Sequence, residues 1–175
     1  MKKLFILTSA VLCVMLMALT AVAAENVVYV AAGGTGDGSS VSSPLGTLSD
    51  AFAAVGENGG TVVLTSDFTI GSAVNLPDHA GKVTLTSVYG GIDYRITNNA
   101  ALRYTSTARL VLGGDTVIDN LNIEIDQGAN NGAVIAANFY DLKIGYGVEI
   151  IHNYTVTNSR MYIIGGSNKR PCTQR

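Results

Sequence analysis

No tryptophan occurs among the 175 residues. That removes the largest flat platform a protein can offer to a sugar ring. Cysteine is almost as scarce, with only Cys13 and Cys172. Cys13 lies in an apolar leader, so one cysteine would remain after processing and no internal disulfide could form. An exported domain of this kind must be held by packing and hydrogen bonds alone. Histidine occurs only at His79 and His152, both isolated. No zinc spacing results, no metal site or cofactor is expected, and each histidine reads as a satisfied surface or loop residue. No basic run is present, and the formal net charge is −2. Binding to a phosphate backbone therefore has little electrostatic footing, and no nucleic-acid partner is expected.

The first 24 residues form a separate unit. Lys2 and Lys3 precede an apolar stretch from Leu4 to Leu19, broken only by Thr8 and Ser9. Ala21-Val22-Ala23 then offers a small-x-small cleavage site before polar Glu25 and Asn26. This is the pattern of a bacterial secretory signal peptide. The competing reading, an uncleaved anchor, rests on the length of the apolar run. A lipoprotein signal fits less well, because bulky Leu12 precedes Cys13. Cleavage predicts a secreted or cell-surface protein with no membrane segment of its own. Losing Lys2 and Lys3 but no acid takes the formal charge from −2 to −4.

The rest is long enough for one domain with a real core. Short β-forming runs recur along it. Val62-Val63-Leu64-Thr65-Ser66 returns as Val83-Thr84-Leu85-Thr86-Ser87, 21 residues later. Val117 to Ile123 matches Asn138 to Ile144 at the same shift. Arg109-Leu110-Val111-Leu112-Gly113-Gly114 returns as Met161-Tyr162-Ile163-Ile164-Gly165-Gly166 after 52 residues, or two steps of 26. Such steps fit a coil of two or three short strands and turns stacked on its neighbours. Alternation, as in Leu121-Asn122-Ile123-Glu124-Ile125, supplies an inner and an outer face. Gly, Asn and Asp punctuate the runs where corners demand unusual backbone. The expected inward set is Val63, Leu64, Val83, Leu85, Leu110, Leu112, Leu121, Ile123, Leu142 and Ile144.

Thr47 to Glu57 breaks this pattern. Leu48, Phe52 and Val55 fall at helical intervals. Thr47 suits the N-cap, Asp50 the positive end, and Gly56 or Gly59 the terminus. A short amphipathic helix from about 48 to 55 is expected to cap one end of the stack. The organisation is then a leader over 1–24, a strand, loop and capping helix over 25–60, rungs over 61–166, and a polar tail over 167–175.

Tyr29-Val30-Ala31, a Gly/Ser-rich loop, Ser43-Pro44-Leu45-Gly46-Thr47-Leu48, the helix, and Gly59-Gly60-Thr61-Val62-Val63-Leu64 together resemble the opening of pectin-lyase-like right-handed parallel β-helices. Gly113-Gly114-Asp115-Thr116-Val117-Ile118-Asp119-Asn120-Leu121-Asn122-Ile123 is similar to the rungs of that superfamily, and to β-helical regions of large exported surface proteins from Gram-positive anaerobes. The resemblance spans roughly 27 to 166. It implies an all-β, right-handed parallel β-helix with an N-terminal capping helix. Members usually have many more rungs and a C-terminal cap. This chain stops just after Met161 to Ile164, so the architecture reads as truncated at its C-terminus. The last rung is expected to be uncapped and open to end-to-end association.

The superfamily includes lyases, hydrolases, tail spikes and adhesins, so the fold alone selects no reaction. The resemblance to polysaccharide lyases implies clustered carboxylates for Ca²⁺ and a Lys or Arg base. The candidates are Asp115, Asp119, Glu124 and Asp126, with Arg109 or Lys143 as base. Glu124 and Asp126 alternate with Ile123 and Ile125 and would share an outer face. The plainer reading is that such acids keep an exposed sheet soluble, and that Asp115, Asp119 and Asp141 cap turns. No nucleophile motif is present, so no catalytic residue is assigned. Tyr140, Tyr146 and Tyr154 are the candidate carbohydrate contacts; their alternative is packing between rungs. Gly33-Gly34-Thr35-Gly36-Asp37-Gly38 lacks the Gly-Lys-Ser/Thr ending of a phosphate loop and reads as a flexible connection. The expected function is a structural, adhesive or glycan-binding module at the cell surface, partnered by a polysaccharide or envelope glycan. The alternative is a lyase or hydrolase, or its remnant, acting on an acidic polysaccharide.

Overall fold

The computed structural model describes residues 25–105, 108–126, 133–153 and 162–165. The leader and the polar tail lie outside these residues. Strand β1 (Val27–Val30) is followed by a closed loop and helix α1 (Leu48–Val55). The next strands come in sets of three. The first set is β2 (Gly60–Leu64), β3 (Asp67–Ile70) and β4 (Ala73–Asn75). After β5 (Val83–Thr86) comes an excursion of β6 (Val88–Tyr89), β7 (Ile92–Asp93) and α2 (Tyr94–Thr97). The second set then finishes with β8 (Ala101–Tyr104) and β9 (Arg109–Val111). The third set is β10 (Thr116–Asp119), β11 (Asn122–Ile125) and β12 (Ala133–Ala136). The fourth is β13 (Leu142–Ile144), β14 (Glu149–His152) and β15 (Tyr162–Gly165).

Each set contributes one strand to each of three sheets. The first sheet runs β1-β2-β5-β10-β13, the second β3-β8-β11-β14, and the third β4-β9-β12-β15. All pairings in these sheets are parallel. Among the described residues only the β6–β7 ribbon is antiparallel. The expected parallel pairing is therefore present, and hairpin-connected sheets are not the scaffold.

Register builds the core row by row. In the first sheet Val62 aligns with Leu85, Leu85 with Ile118, and Ile118 with Ile144. In the second, Leu102 aligns with Ile123 and Ile123 with Ile150. In the third, Leu110 aligns with Ile135 and Ile135 with Ile164. Aliphatic side chains thus stack on like side chains between the sheets, and all but the last residue of each row lie away from water. Between β10 and β11, Asn120 turns the corner at φ 45°. Asparagine tolerates that backbone better than a branched residue would.

The capping helix matches its expected span. The Thr47 hydroxyl accepts the Asp50 N–H at 3.0 Å and donates to the Asp50 carboxylate at 2.6 Å. The hydroxyl thereby satisfies the Asp50 N–H, one of the donors the helix leaves free at its start, and the carboxylate fixes the hydroxyl's orientation. Leu48, Ala51, Phe52 and Val55 all join the main core.

Several expectations need correction. The repeat at 21 residues is not the register: Val62 pairs with Leu85, 23 positions on, and Val117 with Lys143, 26 positions on. The match of Leu112 to Ile164 is also displaced, since Leu110 occupies that row. Val63 is buried but not inward. It faces the excursion, packing with Tyr94 and Ala100 in a second small cluster. The excursion thus covers the outer face of the first sheet. Ile144 is 37 % exposed and Leu142 is half-buried, because among the described residues no strand follows β13 in its sheet. His79 lies in the loop between β4 and β5, but that loop buries it beside Phe52, with ring centroids 5.8 Å apart. Its Nδ1 lies 2.7 Å from the Gly81 carbonyl, while buried Nε2 has no partner among the described residues. The glycine-rich loop is pinned rather than free. Gly36 and Gly38 donate to the Pro44 and Ser43 carbonyls, at 2.9 and 2.7 Å. Asp37 accepts from the Ser39 side chain and N–H and from the Ser43 hydroxyl, which together hold its carboxyl below the usual range.

Candidate functional site

The densest group of charges lies on the outer face of the second sheet. Leu102 and Tyr104 enter the core, so strand alternation turns Arg103 outward. Register sets Arg103 between Thr69 and Glu124. Its guanidinium pairs with Glu124, reaches the Asp126 carboxylate at 2.8 Å, and lies 3.6 Å from that of Asp67. Asn153 donates to the other Asp126 oxygen at 2.7 Å. Four neighbouring stretches of chain are thereby joined around one cation.

The electrostatics follow from this geometry. The hydrogen bond from Arg103, then that from Asn153, holds the Asp126 carboxyl below its usual range. In return the Asp126 hydrogen bond and the surrounding carboxylates push Arg103 further up. A guanidinium held in its charged form cannot serve as a base. One oxygen each of Glu124 and Asp126 faces the guanidinium, and the second Asp126 oxygen faces the Asn153 amide. Among the described residues no group of His, Cys, Asp or Glu side chains is arranged to hold a metal ion.

The other acids named from the sequence lie apart from this group. Asp115 accepts the Asp141 N–H at 2.9 Å, tying the turns before β10 and β13 together. Asp119 accepts from the Asn120 amide at 2.9 Å. Arg109 lies exposed on β9 in the third sheet and Lys143 on β13 in the first. Neither is in the second sheet with Glu124. Sequence reasoning missed Arg103, which belongs to no motif. The signal was its place between inward-facing Leu102 and Tyr104, but its partners follow only from the register.

A second polar contact fixes the excursion. Arg95 bonds Asp93 through Nε at 2.9 Å and Nη2 at 2.6 Å, and its Nη1 donates to the Gly147 carbonyl at 2.6 Å. That bond holds the turn carrying Tyr146, whose carbonyl also accepts the Asn120 N–H at 2.7 Å. The Tyr146 ring is 86 % exposed, on a turn pinned from two sides. Tyr140 is different: it is partly buried against the main core. Tyr154 lies outside the described residues. No family model matches the chain, and comparison with curated proteins and with solved structures finds no match.

Proposed function

We propose that this chain is an exported, right-handed parallel β-helix module of the pectin-lyase-like kind, with a scaffolding and glycan-contacting role rather than a catalytic one. The three-sheet parallel register supports the fold, and parallel crossovers are right-handed in nearly all proteins. The Lys-led apolar leader with its small-residue cleavage site supports export to the cell surface.

The observation that carries the role is Arg103. A uronate lyase needs a free cation to neutralise the substrate carboxylate and a base to take the adjacent proton. Here the outward carboxylates of the second sheet and the cation beside them satisfy one another. Their effect is to fasten neighbouring strands. The negative net charge also disfavours an acidic polysaccharide. Tyr146, exposed on a braced turn, supplies a flat amphipathic surface at little entropic cost.

A glycan array probed with the exported protein and with Tyr146→Ala tests this reading. Retention of uncharged glycans that is lost in the variant supports it. A protein that retains no glycan, or a variant that binds as well as the parent, contradicts the binding role.

A further inference from the structure

We infer that the surface around Tyr146 takes a cationic glycan, a chain of amino sugars with free ammonium groups, in preference to neutral or uronate-bearing chains. The inference rests on the glycan-contacting reading proposed above and adds to it the charge of the ligand.

The surface is built where the excursion meets the turn between β13 and β14. Arg95 of α2 donates to the Gly147 carbonyl at 2.6 Å. From the other side, the Asn120 N–H donates to the Tyr146 carbonyl at 2.7 Å. Tyr146 stands almost wholly in water, and Ile96, next after Arg95, is 79 % exposed. A ring and an aliphatic side chain are thus offered from backbone that is already fixed, which keeps the ordering cost of a contact low.

Carboxylates surround this surface. Gly145, the residue before Tyr146, packs so closely on the Asp119 carboxylate that no side chain would fit there. Glu149, three residues after Tyr146, is exposed at the start of β14. Asp93 ends β7 and bonds Arg95. The Asp93 hydrogen bonds, and beyond them the charges of Asp93, Asp119 and Glu149, push the Arg95 guanidinium further up. That guanidinium is taken by Asp93 and the Gly147 carbonyl. Among the described residues neither Asp119 nor Glu149 forms an ion pair. The remaining charges of residues 141–149, Asp141 and Lys143, offset each other. Three carboxylates therefore stand against one guanidinium around the ring.

A uronate meets repulsion at such a surface, and a neutral sugar gains only the ring. An amino sugar gains both, its apolar face on Tyr146 and its ammonium among the carboxylates or over the ring. A basic peptide would satisfy the charges too, but peptides are held in grooves and on sheet edges, whereas a ring on a turn suits the face of a sugar.

The test uses the purified protein and oligomers of one length: N-acetylglucosamine, its deacetylated form, and galacturonate. Titration calorimetry at mildly acidic pH, where the amines are charged, should rank the deacetylated oligomer first and the galacturonate last. Binding of the deacetylated oligomer should weaken as salt rises. Tyr146→Ala should lose both glucosamine oligomers. Glu149→Gln and Asp119→Asn should each lower the preference for the deacetylated form by about twofold to fivefold, the size of an exposed ion pair. Glu57→Gln, on the turn after α1, should leave that preference unchanged. If Asp119→Asn does not fold, Glu149→Gln and the salt series decide. Binding of both glucosamine oligomers without preference overturns the inference and leaves the glycan reading standing, whereas binding of neither overturns both. A preference that survives Glu149→Gln, or oligolysine bound as tightly as the deacetylated oligomer, would also overturn the inference.

Discussion

Arg103 on β8 and Asp126 at the end of β11 hold each other at 2.8 Å between neighbouring parallel strands, and Asn153 closes on the same carboxylate. Because these bonds depress the carboxyl's folded pKa, the unfolded chain binds that proton more readily. The pair therefore stabilises the fold above about pH 4, the ordinary aspartate value, and this contribution is lost as pH falls through the folded value. Asp126→Asn should lower the urea midpoint at neutral pH and flatten its decline on acidification. Urea titrations at several pH values check this; a variant whose profile runs parallel to that of the parent would count against the pairing.

Phe52 anchors α1 in the main core and touches His79. Phe52→Ala should cost about 3 kcal/mol, since the cavity lies in close-packed surroundings with little room to collapse. Chemical denaturation measures the loss. An unchanged midpoint would mean that the helix is not docked on the stack.

Tyr104 poses the opposite case. Its ring lies wholly within the core, and its hydroxyl has no partner among the described residues. Burial pushes the phenol far up, so it stays neutral. Tyr104→Phe keeps the ring and removes the unpaired group. Stability should hold or rise by up to about 1 kcal/mol. A clear loss on thermal unfolding would show that the hydroxyl has a partner.

Much of this was legible in the residues, and what was not has a physical cause. The helix could be read because Leu48, Phe52 and Val55 share one face and Thr47 caps it. The rows Leu85, Leu110 and Ile123 could be read because alternation marks an inner face. Register could not. Sliding a strand by two residues keeps every side chain on its own face, so 21 and 23 look alike in the pattern. Val63 was assigned inward for a related reason. β2 is buried on both faces and carries no alternation to divide them. The excursion that buries Val63 is written 25 to 37 residues further on, in Val88 to Ala100, and its docking against the first sheet has no local signature. The same gap hid the charge group. Glu124 and Asp126 could be placed together on one strand, but their cation lies one set of strands earlier, and composition alone could not single out Arg103 over Arg109 or Lys143.

The most direct measurement is turnover of polygalacturonate with Ca²⁺ by the purified protein, followed through the absorbance of the unsaturated product. With Arg103 holding Glu124 and Asp126 as structural partners, no product should form, and Glu124→Gln should change stability alone. Product formed by the parent protein and abolished by Glu124→Gln or Asp126→Asn would contradict a scaffolding role and place catalysis on this face.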